Sequence, residues 1–287
     1  MRHWNRKGMQ PILTEFEYDG VVMLKFPLLE QTGMIVQGFS TRIGGVSGGD
    51  CATMNFSYAQ GDEPENVKEN IRRFVTAMGC CPEQTVMSQQ THTVNVRVVT
   101  EKDAGKGYLR ERDYTDVDGL ITNVPGLVLL TTYADCVPLY FVDPVHRAIG
   151  LSHSGWRGTV AQMAVHTLHA MHREYGTVPE DVYAAIGPSI CQDCYEVSED
   201  VAQQVRSAFP SASWPMLLSK HGDGDGRYQL NLWNANRDLL IRAGVSPKRI
   251  EVTDICTCCN ADKLHSHRRT GGKRGALAAF LCIKEQK

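Results

Sequence analysis

Apolar positions along the chain follow two periods. Two β-branched runs, Val128–Tyr133 and Pro138–Val142, predict buried strands, and Ala148–Ser152 predicts a third. Further strands are expected at Ile35–Ser40, as a pair within Thr85–Thr100, and at Val182–Ile186, Glu251–Ile255 and Ala278–Ile283. Helical spacing governs Val67, Ile71, Phe74, Val75 and Met78, with Asp62 as N-cap, Pro64 in the first turn and Gly79 as the stop. It returns over Val160–Tyr175, where Val160, Met163, Ala164, Leu168 and Met171 share one face. His166, His169 and His172 turn away from that stripe and read as a solvated face rather than as ligands. Ser198–Phe209 and Asn231–Ala243, closed by Gly244, complete the helices. A length of 287 residues lies at the upper edge of one domain, so one large α/β domain over residues 1–287 is expected.

Four polar stretches interrupt this pattern. Thr41–Gly49 is glycine-rich beside Arg42, which suits a loop whose amides and guanidinium face an anion. Lys102–Asp116 is rich in charge and reads as a solvated, mobile loop. His221–Gly226 imitates a calcium loop but lacks the distal bidentate glutamate, so a turn is the better reading. In Ser266–Gly275, Arg268, Arg269, Lys273 and Arg274 lie among glycines, a local anion site because guanidinium forks match phosphate oxygens.

Charge narrows the partners. A formal net charge of −2 leaves no electrostatic footprint for duplex nucleic acid or an anionic membrane, so small molecules are the expected partners. The first residues lack the apolar core of a leader peptide, and no run is long enough to span a bilayer, which predicts a cytoplasmic protein. Ten cysteines in such a reducing compartment serve metal ligation, catalysis or burial rather than disulfides.

The chemistry concentrates in residues 118–159. Cys136 lies in Ala134-Asp135-Cys136 between two strands, and His153 leaves a third just before Gly155-Trp156-Arg157-Gly158. A thiol and an imidazole at strand ends sit on a rigid scaffold, where either a metal ligand pair or a nucleophile with its base belongs. His92 alone reads as a hydrogen-bonded structural residue, and the neighbours Cys80 and Cys81 as no site. The C-x-x-C of Cys191 and Cys194 invites a zinc or redox reading. Cys256, Cys258 and Cys259 can offer the missing pair, yet C-x-C-C is not the usual second half, and a turn of small buried residues is preferred.

Gly38-Phe39-Ser40-Thr41-Arg42, Ala134-Asp135-Cys136-Val137-Pro138, His153-Ser154-Gly155-Trp156-Arg157-Gly158, Cys194-Tyr195-Glu196-Val197 and Cys256-Thr257 occur in one order. In this the chain resembles a family variously described as bacterial polyphenol oxidases, peptidoglycan editing factors, or purine nucleoside phosphorylases with a laccase-type domain. The resemblance implies a single α/β domain with mixed sheets packed between helices, a layered α-β-β-α sandwich. It also implies a zinc ion, with copper as the other candidate, held by His92, Cys136 and His153. Two departures lie beside those ligands: Thr93 where the family has glycine, and Ser154 where it has alanine. Arg274 departs from the family's spacing and is the less secure of the cations.

Two imidazoles and a thiolate leave zinc one open position, the pattern of a catalytic site. Zinc can supply hydroxide near neutral pH, as deamination of adenine requires. Phosphorolysis instead needs a held phosphate, for which Arg42, Arg157 and Arg268 are candidates, and a proton donor, for which Asp135 is one. The substrates implied by the resemblance are adenosine, inosine, guanosine and methylthioadenosine, with adenosine deamination as a second activity. The alternatives are a copper-dependent oxidase of phenols, an amidase acting on cell-wall peptides with Cys136 as nucleophile and His153 as base, and a zinc-stabilised binding module without turnover.

Overall fold

The computed structural model of the protein describes residues 2–220 and 226–285, so all of the calcium-like turn except Gly226 lies outside the described residues. Two six-stranded sheets stack face to face. The first has the order Thr14–Tyr18, Val21–Lys25, Ile35–Ser40, Leu277–Ile283, Val128–Tyr133, Thr85–Met87. The second has the order Ile250–Val252, Tyr183–Ile186, Val137–Asp143, Ala148–Ser154, Gly119–Thr122, Val96–Val98. Both are mixed: Thr85–Met87 runs parallel to Val128–Tyr133, Val96–Val98 to Gly119–Thr122, and Tyr183–Ile186 to Ile250–Val252, while the remaining pairs are antiparallel. A small third sheet joins Glu196–Ser198, Arg227–Leu230 and Leu218–Lys220.

Alternation along each strand divides its side chains between two cores. Leu24, Phe39, Leu129 and Leu281 from the first sheet meet Leu120, Tyr140, Ile149 and Leu151 from the second between the sheets. Val137, Leu139 and Phe141 face the other way, onto the helices Met163–Tyr175, Glu199–Ala208 and Leu232–Arg242. The outer face of the first sheet is covered by helix Pro64–Ala77, whose Phe74 stacks on Phe280 at 4.3 Å between ring centroids. These are the α-β-β-α layers that the resemblance implies. Strands Val137–Asp143, Ala148–Ser154 and Leu277–Ile283 are buried at every residue, which is why each reads as an apolar run, broken only by polar residues at the ends of the first two.

Several expectations need correction. Thr85–Met87 and Val96–Val98 do not pair with each other; they are edge strands of different sheets, because the chain between them crosses the sandwich. The helix expected over Val160–Tyr175 is two, Trp156–Val160 and Met163–Tyr175, separated where Gln162 takes φ 62°. Its three histidines are exposed, as expected. Asp62 does not cap the helix that starts at Pro64; its carboxylate accepts from Ser47, Asn55 and Asn66 side chains and ties the preceding loop. The strand expected at Glu251–Ile255 is Ile250–Val252. The loop Lys102–Asp116 is pinned, since buried Lys106 donates to Asp103 at 2.7 Å and Asp113 at 2.8 Å, and Tyr114 donates to the Met87 carbonyl at 2.6 Å. No helix among the described residues is long and apolar enough to cross a membrane.

Glu251 on the edge strand lends stability a pH dependence. Burial pushes its carboxyl up to about 7, against the Leu28 amide that donates to it at 3.1 Å, with Asp254 and Glu30 adding like charge. The folded value lies above the unfolded one, so the favourable contribution is complete below about pH 4.5 and is lost as pH rises through about 7. Glu251→Gln keeps an acceptor for Leu28 and should gain thermal midpoint over the native chain progressively from about pH 5 to about pH 8. Parallel midpoints across that range, followed by circular dichroism, would contradict the assignment.

Candidate functional site

Two crossings between the sheets bring the polar groups to one end of the sandwich. His92 lies on the link from Thr85–Met87 in the first sheet to Val96–Val98 in the second, and Cys136 on the link from Val128–Tyr133 to Val137–Asp143. His153 is the penultimate residue of strand Ala148–Ser154, paired in register with Pro138. One ligand atom from each of His92, Cys136 and His153 lies within 4.8 Å of the others. The links are tight enough to hold His92 at φ 65° and Asp135 at φ 86°, left-handed backbone that non-glycine residues adopt at a cost and that clusters at functional sites. Gly155 completes the approach: a Cβ there would meet Cys136 Sγ at 3.0 Å and His92 Nδ1 at 3.2 Å.

Asp118, to which the residue pattern assigns no role, is the hub of this end. Its Oδ1 accepts from His153 Nδ1 at 2.7 Å and from the His92 amide at 3.1 Å. Its Oδ2 accepts from the amides of Thr91 at 3.0 Å and Thr93 at 2.9 Å, and from the Thr93 hydroxyl at 3.0 Å. Burial opposes ionisation, but His153 and these amides overcome it and hold the carboxyl at about 2. A carboxylate only accepts, so the His153 proton resides on Nδ1 and the Nε2 lone pair is left for a metal. Burial also lowers the affinity of His153 for a second proton; the charge of Cys136 and the Asp118 bond outweigh it and push the imidazole up to about 9, so without a metal Nε2 is protonated at neutral pH and a metal ion binding there displaces that proton. His92, at the exposed rim, is held below its ordinary value by partial desolvation and by His153.

The two departures from the family pattern have different consequences. Thr93 adds its hydroxyl to the amides on Asp118, a donor glycine lacks. Ser154 faces away from the ligands, its hydroxyl paired with Thr159 at 3.0 Å and donating to Asn236 Oδ1 at 3.1 Å in a buried network.

The candidate anion residues separate in the same way. Arg157 is exposed on the short helix, with its guanidinium 4.4 Å from the Trp156 ring, and forms no ion pair among the described residues. Its charge reaches both His92 and Tyr195. Arg42 donates to the carbonyls of Ala52 at 2.6 Å and Ala261 at 3.1 Å, bracing the glycine loop. Arg268 donates to the carbonyls of Glu196 at 2.9 Å and Cys194 at 3.4 Å and lies 5.2 Å from the Tyr195 ring. Arg274, the cation set aside on spacing, is half-buried, its Nε has no acceptor among the described residues, and burial lowers its pKa against the charges of Asp135 and Cys136. Asp135 accepts from the Thr257 hydroxyl at 2.6 Å and the Arg268 amide at 2.7 Å, so each of its oxygens already holds a proton donor. A hollow of about 710 Å³ beside Tyr108, Arg110 and Arg112 is lined by none of the three ligands.

A second cluster corrects the reading of the C-terminal cysteines as turn residues. One ligand atom from each of Cys191, Cys194, Cys256 and Cys259 lies within 4.8 Å of the others, and Cys258 stays outside the group. The signal was a C-x-x-C from Cys256 to Cys259, hidden by the intervening Cys258.

The sequence profile of the multi-copper polyphenol oxidoreductase laccase family matches residues 36–284. The chain is 36% identical over 255 residues to purine nucleoside phosphorylase YlmD of Geobacillus stearothermophilus, covering 88% of this chain and 91% of that protein. It is 33% identical over 243 residues to adenosine deaminase RL5 of an unknown prokaryotic organism, covering 85% and 90%. The crystal structure of YlmD from Geobacillus stearothermophilus superposes with a TM-score of 0.86 at 35% identity, over 96% of this chain and all of that one. With a profile match over most of its length and the fold in common, the chain belongs to the multi-copper polyphenol oxidoreductase laccase family.

Proposed function

We propose that the chain is a zinc-dependent purine nucleoside phosphorylase that also deaminates adenosine, and that it works in the cytoplasm on small-molecule substrates. The observation that carries this reading is the convergence of two imidazoles and one thiol, with His153 presenting Nε2, beside the cations Arg157 and Arg274. The donor set fits zinc: nitrogen and sulfur ligands, one imidazole oriented by a carboxylate, and Gly155 leaving clearance around the other two. Bound there with one open position, zinc would supply Lewis acidity and a hydroxide nucleophile near neutral pH.

The remaining work falls to side chains. Arg157, exposed and unpaired among the described residues, meets phosphate or the ribose side of a nucleoside. Arg274, itself half-buried, offers a buried Nε donor whose missing acceptor an anion provides. Tyr195, between the charges of Arg157 and Arg268, presents an aromatic face for the purine. Arg42 and Arg268 brace the walls through backbone carbonyls. Asp135, with both oxygens accepting, positions Thr257 and the Arg268 segment rather than donating a proton. Support for the activity comes from relatives named as a purine nucleoside phosphorylase and an adenosine deaminase; adenosine, inosine, guanosine and methylthioadenosine are the substrates to try.

The test is chromatography of products from adenosine, with and without phosphate, on protein as purified, after metal stripping and after zinc restoration. Adenine and ribose 1-phosphate should appear only with phosphate, inosine without it, and both should vanish on stripping and return with zinc. Absence of any product from protein holding stoichiometric zinc would overturn the proposal in favour of an amidase or a binding module. Turnover of phenols alone, lost on copper removal, would favour the oxidase.

A further inference from the structure

We infer that the chain carries a second metal site, a closed zinc tetrathiolate made by Cys191, Cys194, Cys256 and Cys259. It is distinct in ligands and in kind from the cluster of His92, Cys136 and His153, and stands whether or not the chain acts on nucleosides.

The topology explains why four residues far apart in sequence converge. Tyr183–Ile186 and Ile250–Val252 are adjacent parallel strands, so the chain leaves both at the same end of the sheet. The two exits stay together beyond the strands, through a parallel bridge between Ser189 and Cys256 and an amide of Thr257 that donates to the Ser189 carbonyl at 3.1 Å. Each exit then turns through a C-x-x-C, 191 to 194 and 256 to 259, the spacing with which a single turn offers two sulfurs to one ion.

The distances match the chemistry. Zinc at about 2.3 Å from each of four tetrahedral sulfurs sets those sulfurs about 3.8 Å apart. Cys194 Sγ lies 3.5 Å and Cys191 Sγ 4.0 Å from Cys259 Sγ. The four cysteines are free thiols. Two amides aim at one sulfur, with Cys191 N and Cys259 N donating to Cys256 Sγ at 3.2 and 3.4 Å. Cys191 and Cys256 are buried and the other two half-buried, so four protein ligands enclose the centre with no position for a substrate. Four thiolates around a divalent ion leave net negative charge, and Lys7 stands against this knuckle, bonded to Asp193 at 2.9 Å.

The site would hold a wall of the other centre. Thr257, between two of the cysteines, donates to Asp135 beside Cys136, and the Ile190 amide, one residue before Cys191, donates to the Asp135 carbonyl at 3.0 Å. A metal that staples the two turns therefore fixes the segment preceding Cys136.

The test is metal content of the full chain by elemental analysis and native mass spectrometry after saturation with zinc(II) and removal of excess. The native chain should hold about two equivalents, His153→Ala about one, and the double variant Cys194→Ser with Cys259→Ser about one. Cobalt(II) in place of zinc should give thiolate charge-transfer absorption that survives in His153→Ala and falls in the cysteine variant. Where the cysteine variant fails to fold, titration of the native chain with an organomercurial, read by a chromophoric zinc chelator, must release two equivalents. A single equivalent, lost entirely with His153→Ala, would overturn the inference. So would a disulfide between any two of the four cysteines in zinc-saturated, folded protein.

Discussion

Replacing His153 with alanine should abolish phosphorolysis and deamination of adenosine together, with a loss on the order of 1,000-fold or more in kcat/KM, equivalent to about 4 kcal/mol of transition-state stabilisation. The imidazole is buried at 4% exposure, fixed by Asp118, and the one ligand of the three placed on a strand of the sandwich itself. Without it, the centre retains Cys136 and His92, one of which lies at the exposed rim. The fold should survive, because Asp118 keeps the amides of Thr91, His92 and Thr93 and the Thr93 hydroxyl. Far-ultraviolet circular dichroism and the thermal midpoint check that point, and zinc content checks the cause. Full turnover by a folded variant would sink the zinc mechanism. Loss of one activity alone would mean that the two reactions do not share this centre.

Asp118→Asn tests the same centre from behind. An amide has one accepting oxygen, whereas the carboxylate accepts from donors on both sides. If the new NH₂ replaces Oδ1, it opposes the His92 amide and forces His153 to accept at Nδ1, moving the ring proton to Nε2 and blocking ligation. If it replaces Oδ2, it opposes the Thr91 and Thr93 amides and loosens the turn that carries His92. Loss of a carboxylate that orients a metal-ligating histidine typically costs 10- to 100-fold in metal affinity or activity, and here about 100-fold is expected because both histidines depend on it. Competition with a chelator of known affinity measures the first quantity and steady-state kinetics with adenosine the second. Zinc affinity within a factor of about two of the native chain would show that the hydrogen bonds of Asp118 only hold the fold.

What the residues reveal about this protein follows from where local chemistry is self-sufficient. Strands buried on both faces announce themselves as apolar runs, so Val128–Tyr133, Val137–Asp143 and Ala148–Ser154 were legible. So were the amphipathic helices, whose stripe of Val67, Ile71 and Phe74 needs only a period of 3.6. Cys136 and His153 stood out because each interrupts or ends such a run. His92 did not, since a histidine in a short polar link has no local mark of what it faces, and it entered through likeness to a family. Pairing across space was beyond the pattern altogether. The crossings that put neighbouring strands in different sheets, the convergence of two C-x-x-C turns from adjacent parallel strands, and the five donors gathered on Asp118 all depend on residues distant in sequence. The same holds for the arginines: composition counts their charges, but only the tertiary structure decides which guanidinium is spent on carbonyls, as in Arg42 and Arg268, which keeps one donor over, as Arg274 keeps Nε while donating to the Gly275 carbonyl, and which is left for an anion, as in Arg157. The physical reason is that burial patterns are written by short-range periodicity, whereas a site is made by long-range closure of the chain.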